Sequence, residues 1–290
     1  MWRSRVIVGV SLVSALAGTT WAAGAMHDAT KENEQAGEPA SDQPGSETEG
    51  VKEGPKEGPK EGAKAGAKEG VIDPRADAAL HRMSNYLASL KTLKVETTTV
   101  DEHITTNGQK IQEIKDSKVA LKRPGSMAID RIGPFGRVEF RYDGKHFSLF
   151  GVDKHAFATA PAPANLDRAI DEARDRLHVD APGGDLMVSD PYHALIEGVT
   201  EGRYIGLEPI AGVMAHHLAM TKGAVDWQIW IADGPEPVPL RYVITSKDMP
   251  GQPQFTIDLH NWQPDVPLSA SAFAFLPPPD ARQIKMGGGQ

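Results

Sequence analysis

The sequence predicts an α+β domain in which a curved antiparallel sheet, an incomplete β-barrel, is covered by a helical lid. Three observations lead there. About ten segments between residues 93 and 262 alternate apolar and polar side chains, the period of half-buried strands. Two other segments, near residues 75–91 and 166–178, repeat apolar residues at helical spacing. A single antiparallel sheet of so many strands must curl strongly or split. A curled sheet with one apolar face needs a cover, and the helices supply one.

The chain of 290 residues opens with Arg3 and Arg5, an apolar run from Val6 to Gly18, and small residues at Ala23-Gly24-Ala25. This is the pattern of a secretory signal peptide over residues 1–25, and it places the mature protein in the periplasm. The apolar run is shorter than the roughly 20 residues a membrane span requires. There is no cysteine, so disulfides and thiol chemistry are excluded and stability must come from an ordinary core.

Residues 26–74 form a linker of different composition, rich in Lys, Glu, Gly and Pro, with the near-repeat KEGPKEGPKEGAKAGAKEG from Lys52 to Gly70. So few large apolar side chains cannot offset the entropy of ordering, and a disordered spacer with a reach of roughly 40 Å is expected. The linker carries a net charge of −6 and the signal +2, which leaves −4 of the total −8 on residues 75–290. A mildly acidic domain disfavours nucleic acid, whose binding relies on a basic face. The 216 residues from 75 to 290 suit one large domain.

Asp73-Pro74 is a helix start signal, and Leu80, Met83, Leu87 and Leu90 make one apolar stripe from Arg75 to Lys91. Leu93 to Thr106 reads as a strand, Asn107-Gly108 as a hairpin turn, and Lys110 to Leu121 as the returning strand. Arg123-Pro124-Gly125 turns the chain into a strand through Met127 and Ile129. Gly133 to Gly136 turns it again into Arg137–Tyr142, where Val138, Phe140 and Tyr142 share a face. Asp143-Gly144 leads to Lys145–Phe150 and then His155–Thr159. A middle insertion follows. Asn165 caps a helix from Leu166 to about His178, with Ile170, Ala173 and Leu177 on its apolar edge. Ala181-Pro182-Gly183-Gly184 breaks it, and Pro191 to Glu197 reads as a short helical turn.

Strands resume near Val199 and continue through Met214–Met220, Val225–Ile231, Leu240–Thr245 and Gln254–Trp262. The segment Val225–Ile231 alternates most cleanly, with Trp227 on one face and Trp230 on the other; the sequence leaves open which of the two faces inward. The prolines after Phe273-Ala274-Phe275-Leu276 are expected to end the sheet.

A search for chemistry finds little. No His-Glu-x-x-His occurs; His216 and His217, adjacent on a strand, point to opposite faces and cannot share an ion, and the other histidines are scattered. No metal or cofactor is expected. No Gly-x-Ser-x-Gly elbow or Gly-rich phosphate loop is present. Asp185 and Asp190 are the acidic pair to weigh, and nothing separates them from loop and cap carboxylates.

One set of residues nevertheless points to a family. Gly212, His216-His217-Leu218-Ala219, Asp226 to Ile231, Pro237 to Ile244, and the ending Phe273-x-Phe275-x-Pro277-Pro278-x-Asp280-Ala281 are joined by Arg123-Pro124 and Tyr142-Asp143-Gly144. Together they make residues 75–284 resemble the secreted bacterial domain-of-unknown-function family 2092. Family members often carry a cysteine just before the two histidines; Ala215 stands there, so no role of that thiol carries over. The resemblance implies a distant relation to LolA- and LolB-like lipoprotein carriers, hence a LolA-like half-barrel with an apolar cavity for acyl chains.

The function expected is a non-enzymatic periplasmic binding protein that shelters an acyl chain, a lipidated protein or another apolar ligand. The alternative is an envelope protein-interaction or sensing module with a filled core. A continuous apolar pocket of roughly 300 Å³ or more separates the two. The residues expected to line such a cavity are Met83, Leu87, Phe140, Tyr142, Leu149, Leu218, Met220, Trp227, Ile229 and Tyr242. Lipids, lipidated proteins or envelope proteins are the expected partners, and the chain is expected to be a monomer.

Overall fold

The computed structural model describes residues 71–177 and 183–286. The signal peptide, the linker up to residue 70, His178, the Ala181-Pro182 break and the C-terminal glycines lie outside the described residues.

The first element is α1 (Pro74–Ser89). Proline at its first position loses no hydrogen bond, and the Asp73 carboxylate accepts from the Arg75 backbone N–H. Six strands follow: β1 (Thr92–Ile104), β2 (Lys110–Lys122), β3 (Ser126–Gly133), β4 (Gly136–Tyr142), β5 (His146–Gly151) and β6 (Ala156–Pro161). The insertion holds α2 (Leu166–Leu177), a 3₁₀ turn at Gly184–Leu186 and α3 (Pro191–Ile196). Five more strands run as β7 (Glu201–Ile210), β8 (Val213–Lys222), β9 (Val225–Ala232), β10 (Pro239–Ser246) and β11 (Gln254–Pro264), and β12 (Arg282–Gln283) ends the series. The Ala211-Gly212 turn between β7 and β8 has positive φ at both residues, +49° and +82°, the two-residue hairpin geometry that matches strand twist.

All twelve strands form one open sheet in the order β12-β6-β5-β4-β3-β2-β1-β11-β10-β9-β8-β7. Two meanders are thus spliced where β1 pairs with β11 (Thr97 opposite Leu259). The end strands β12 and β7 do not meet, so the barrel is incomplete. The expectation that the prolines end the sheet is corrected: the chain rejoins it past Pro279, with β12 parallel to β6. Two residues are too few to carry a periodic signal. Between them and the barrel, Phe275 packs against Phe150 and Phe157 at 6.0 and 5.5 Å, covering the outer side of β5 and β6.

Residues directly opposite in antiparallel strands share a face. Leu93, Leu121, Met127, Tyr142 and Phe147 therefore form one inward row across β1 to β5. On the same face Ile257, Tyr242, Ile229 and Leu218 form a second row across β11 to β8, which meets β1 at Thr99. α1 lays Ala76, Ala79, Leu80, Met83 and Leu87 on this face, all at most 2% exposed. Leu166, Ala169 and Ala173 of α2, then Leu186, Met187 and Leu195, complete the same core.

The two turn motifs singled out in the sequence meet at the root of the insertion. The Tyr142 hydroxyl donates to the Pro163 carbonyl at 2.6 Å, and the Leu166 N–H to the Pro124 carbonyl at 2.9 Å. A Cβ on Gly125 would run into the Ala164 carbonyl oxygen, and one on Gly144 would lie 2.9 Å from the Gly125 carbonyl. Glycine is required at both positions by close backbone approach.

Candidate functional site

The structure gathers the expected cavity residues on the inner face. Met83, Leu87, Tyr142, Leu218, Met220, Trp227, Ile229 and Tyr242 belong to one core cluster, Phe140 packs against it, and Leu149 is buried. Trp227 points inward at 3% exposure and meets the Tyr242 ring edge-on at 5.7 Å and 79°. Burial pushes the Tyr142 hydroxyl up to about 12, with the Asp143 charge adding to it; burial raises Tyr242 further, with Asp185 second.

Below this apolar half the inner face turns polar. Along β1 it runs from Val95 to Thr97 and Thr99, along β2 from Val119 to Ser117 and Lys115, and along β3 from Ile129 to Arg131. Lys115 is 5% exposed; it pairs with Asp101 and stands 3.5 Å from Glu113. Arg131 Nε donates to Ser117 Oγ at 3.1 Å. Burial lowers the Arg131 pKa, and the Asp101 charge opposes it. The polar floor is a surface that an apolar chain does not cross without stripping charges.

At the rim the two histidines take up separate environments, as strand geometry requires. His217 lies on the outer face, stacked on Trp230 at 4.0 Å, with Nδ1 2.8 Å from Glu208 and Nε2 3.0 Å from Gln228. Trp230 Nε1 donates to the other Glu208 oxygen at 3.1 Å. These bonds, His217 first and Trp230 second, hold the Glu208 carboxyl below its ordinary range. His216 lies on the inner face, where Nδ1 is 2.8 Å from the Tyr204 hydroxyl and Nε2 is 3.1 Å from Asp233 and 3.0 Å from Arg82 of α1. Arg82 is 134 positions away in the chain, so no local pattern could reveal this contact.

Asp185 and Asp190 serve structure. Asp190 caps α3 by accepting from the His193 N–H at 3.0 Å, and Asp185 faces Arg174 at 3.5 Å. Burial raises the Asp185 pKa, with Arg174 and Lys222 opposing it. Among the described residues no group of three or more His, Asp or Glu side chains is placed to hold a metal ion. Two grooves open on the surface. One of about 550 Å³ lies beside the start of α1 between Asp73 and Tyr204; the other, about 750 Å³, crosses β1 to β4 along Glu96, Lys118, Asp130 and Glu139. None of the ten expected cavity residues lines either groove.

An open half-barrel with helices laid on its apolar face defines the class of fold. The chain belongs to the family of predicted periplasmic proteins called domain-of-unknown-function family 2092, whose profile matches residues 76–287. No curated protein matches it. Among solved structures it is similar to the lipoprotein LppX of Mycobacterium tuberculosis (17% identity, 68% of this chain and 99% of that one, TM-score 0.45). It is also similar to a LolA superfamily protein from Nitrosomonas europaea (10%, 69% and 97%, TM-score 0.36). A third is the MucA/MucB complex of Pseudomonas aeruginosa (15%, 69% and 61%, TM-score 0.36).

Proposed function

We propose that this chain is a non-enzymatic periplasmic binding protein that takes an acyl chain, free or attached to a protein, against the inner face of its half-barrel. The observation that carries the reading is the nature of the cover. Among the described residues the apolar face of the sheet meets no second sheet; it meets α1, α2, the Gly184–Leu186 turn and α3. α1 runs almost directly into β1, and its start is tied to β7 through the Ile72–Gly202 bridge. The insertion packs Leu166, Ala169, Ala173, Leu186, Met187 and Leu195 into the same core, and adds directed contacts at its edges. Tyr192 of α3 stacks on His81 at 3.5 Å and donates to Asp77 at 2.6 Å, and Arg123 donates to the Met187 carbonyl at 2.9 Å. On this reading the insertion, which adds no strand to the sheet, is the part that lifts.

Magnitudes set the ligand's size. Lifting the insertion exposes Leu166, Leu186, Met187 and Leu195, at roughly 1.5–3 kcal/mol each, or on the order of 6–12 kcal/mol together. An acyl chain regains about 0.8 kcal/mol per methylene, so about 8–15 methylenes offset the opening. Binding is expected to start only with medium to long chains and to tighten about fourfold per methylene. Titration with fluorescent fatty-acid probes of increasing length, alongside lipid extraction of protein purified from the periplasm, tests this. Absence of both probe binding and co-purified lipid sinks the reading.

The insertion's role has its own test. The chain has no cysteine, so His81→Cys with Tyr192→Cys, bridged by a short bifunctional thiol reagent, fixes α3 to α1 cleanly. Bridging is expected to abolish probe binding and cleavage of the bridge to restore it. Undiminished binding in the bridged protein removes the insertion from the mechanism. Alkali loosens the same contact. Burial first, and Asp77 second, raise the Tyr192 hydroxyl from its ordinary 10 to about 12. Its stabilising contribution is present below pH 10 and is lost as pH rises towards 12.

One observation favours the second reading, a protein-interaction module. Met83 and Leu87 of α1 are fully buried against the sheet, so the inner face already has an occupant. On that reading no acyl probe of any length binds, and the protein captures an envelope partner instead.

A further inference from the structure

The inner face of β8 opens step by step towards the rim. Met220 and Leu218 are at most 2% exposed, the His216 side chain 14%, and Met214 46%. On β7, Leu207 stands opposite His216 and is 48% exposed. Past His216 the core face thus continues as a short apolar lip of Leu207 and Met214.

The polar group at this boundary is over-subscribed. His216 Nε2 lies within hydrogen-bond distance of both Arg82 and Asp233. A neutral imidazole nitrogen either accepts from Arg82 or donates to Asp233, never both. With Nε2–H on Asp233, Nδ1 accepts from the Tyr204 hydroxyl and Arg82 is left over; with Nε2 accepting from Arg82, the guanidinium meets a neutral ring and not an anion. No carboxylate stands within ion-pair distance of Arg82 among the described residues. The neighbouring arginines are committed: Arg75 to Asp73 at 2.8 Å and Arg203 to Glu201 at 2.6 Å.

An exposed guanidinium without an acidic partner, beside an apolar lip that prolongs the core, matches an anionic amphiphile. We propose that Arg82 holds the anionic head group of a single-chain amphiphile whose first methylenes lie on Leu207 and Met214, so that ligand is received at the β7–β8 end of the half-barrel. This deepens the acyl-binding reading and rests on it. A guanidinium fork takes carboxylate or phosphate in two parallel bonds, and the site demands only that shared chemistry.

The test compares oleate, an alkyl phosphate of equal length and oleyl alcohol, each displacing a fluorescent probe from the full mature chain. Wild type is expected to prefer both anions over the alcohol by about tenfold to a hundredfold, the worth of a charge-assisted pair of hydrogen bonds. Preference for one anion alone identifies the head group and supports the site. Arg82→Gln is expected to erase the preference and Arg82→Lys to keep part of it, with an unchanged urea midpoint reporting an intact fold. Met214→Asp is expected to weaken all three ligands.

Equal binding of oleate and oleyl alcohol by wild type overturns the head-group site and leaves the acyl reading standing. Anion preference that survives Arg82→Gln also overturns it. Binding only to anionic vesicles, with none to dispersed oleate, overturns it in favour of a membrane surface. Failure of all three ligands overturns both proposals.

Discussion

Trp227→Ala is expected to cost about 3–5 kcal/mol of stability, whereas Trp230→Ala costs about 1–2 kcal/mol. The two tryptophans sit three residues apart on β9, and the difference follows from which side of the sheet each faces. Trp227 is sealed between Met220 and Ile244 on neighbouring strands and touches Tyr242 edge-on. Its removal leaves a large void that the sheet cannot close, because three neighbours belong to strands held in register. Trp230 lies on the outer face, and its loss forfeits one stacked pair and one hydrogen bond. Glu208 then keeps His217 as its partner. Urea unfolding of both variants, followed by circular dichroism, checks the ranking. Equal losses contradict the inward placement of Trp227. The fluorescence of the single Trp→Phe variants gives a second reading, since removing Trp227 removes the most buried emitter on that strand.

That ranking shows where sequence reading stops. Alternation along Val225–Ile231 establishes a strand with two distinct faces, but a tryptophan on each face makes both look apolar. What decides between them is the partner row, Leu218, Ile229 and Tyr242, and rows form only when strands find their register. Most of the fold is legible for the complementary reason. Turn chemistry at Asn107-Gly108 and Asp143-Gly144 is local, so the boundaries of the first meander can be read. The β1–β11 pairing that joins the two meanders is not local, because its residues lie more than 150 positions apart. The candidate site shows the same division. Residues of the apolar wall announce themselves by periodicity, while the rim contact between Arg82 and His216 is made by two elements 134 positions apart. Two adjacent histidines were visible; the arginine that meets one of them was not.

The motifs also acquire a role that periodicity cannot supply. Arg123-Pro124-Gly125 and Tyr142-Asp143-Gly144 are turns of neighbouring strands, and turns need no particular tyrosine. Their identity makes sense once both are seen to clamp Pro163 and Ala164, where the insertion leaves the sheet. Tyr142 provides one bond from the core side and Pro124 another from the turn, which on the proposed lifting would fix the root of the cover.

Lys115→Met is expected to destabilise the protein by about 3–5 kcal/mol, as large an effect as any single core truncation. The side chain is 5% exposed on the polar floor of the half-barrel, paired with Asp101 and 3.5 Å from Glu113. Methionine fills nearly the same volume, and the stem that lies across Gly133 is retained. Packing is therefore almost unchanged, and the loss comes from Asp101 and Glu113 losing Lys115, with only Arg131 near the first and His103 3.4 Å from the second. This identifies the source of the cost. If uncompensated charge carries it, adding Asp101→Asn and Glu113→Gln to Lys115→Met recovers most of the loss, even though no attraction is restored. If the attraction itself carries it, the triple variant stays as unstable as the single one. Chemical denaturation of wild type, single and triple variants at one salt concentration separates the two. The same variants bear on ligand binding, because on β1 to β3 the charged floor marks the depth at which the apolar wall ends. With these three charges removed, the longest acyl chains are expected to gain affinity relative to medium ones. Unchanged chain-length dependence in a folded triple variant means that the ligand never reaches the floor, and places it entirely in the half of the barrel nearer α1.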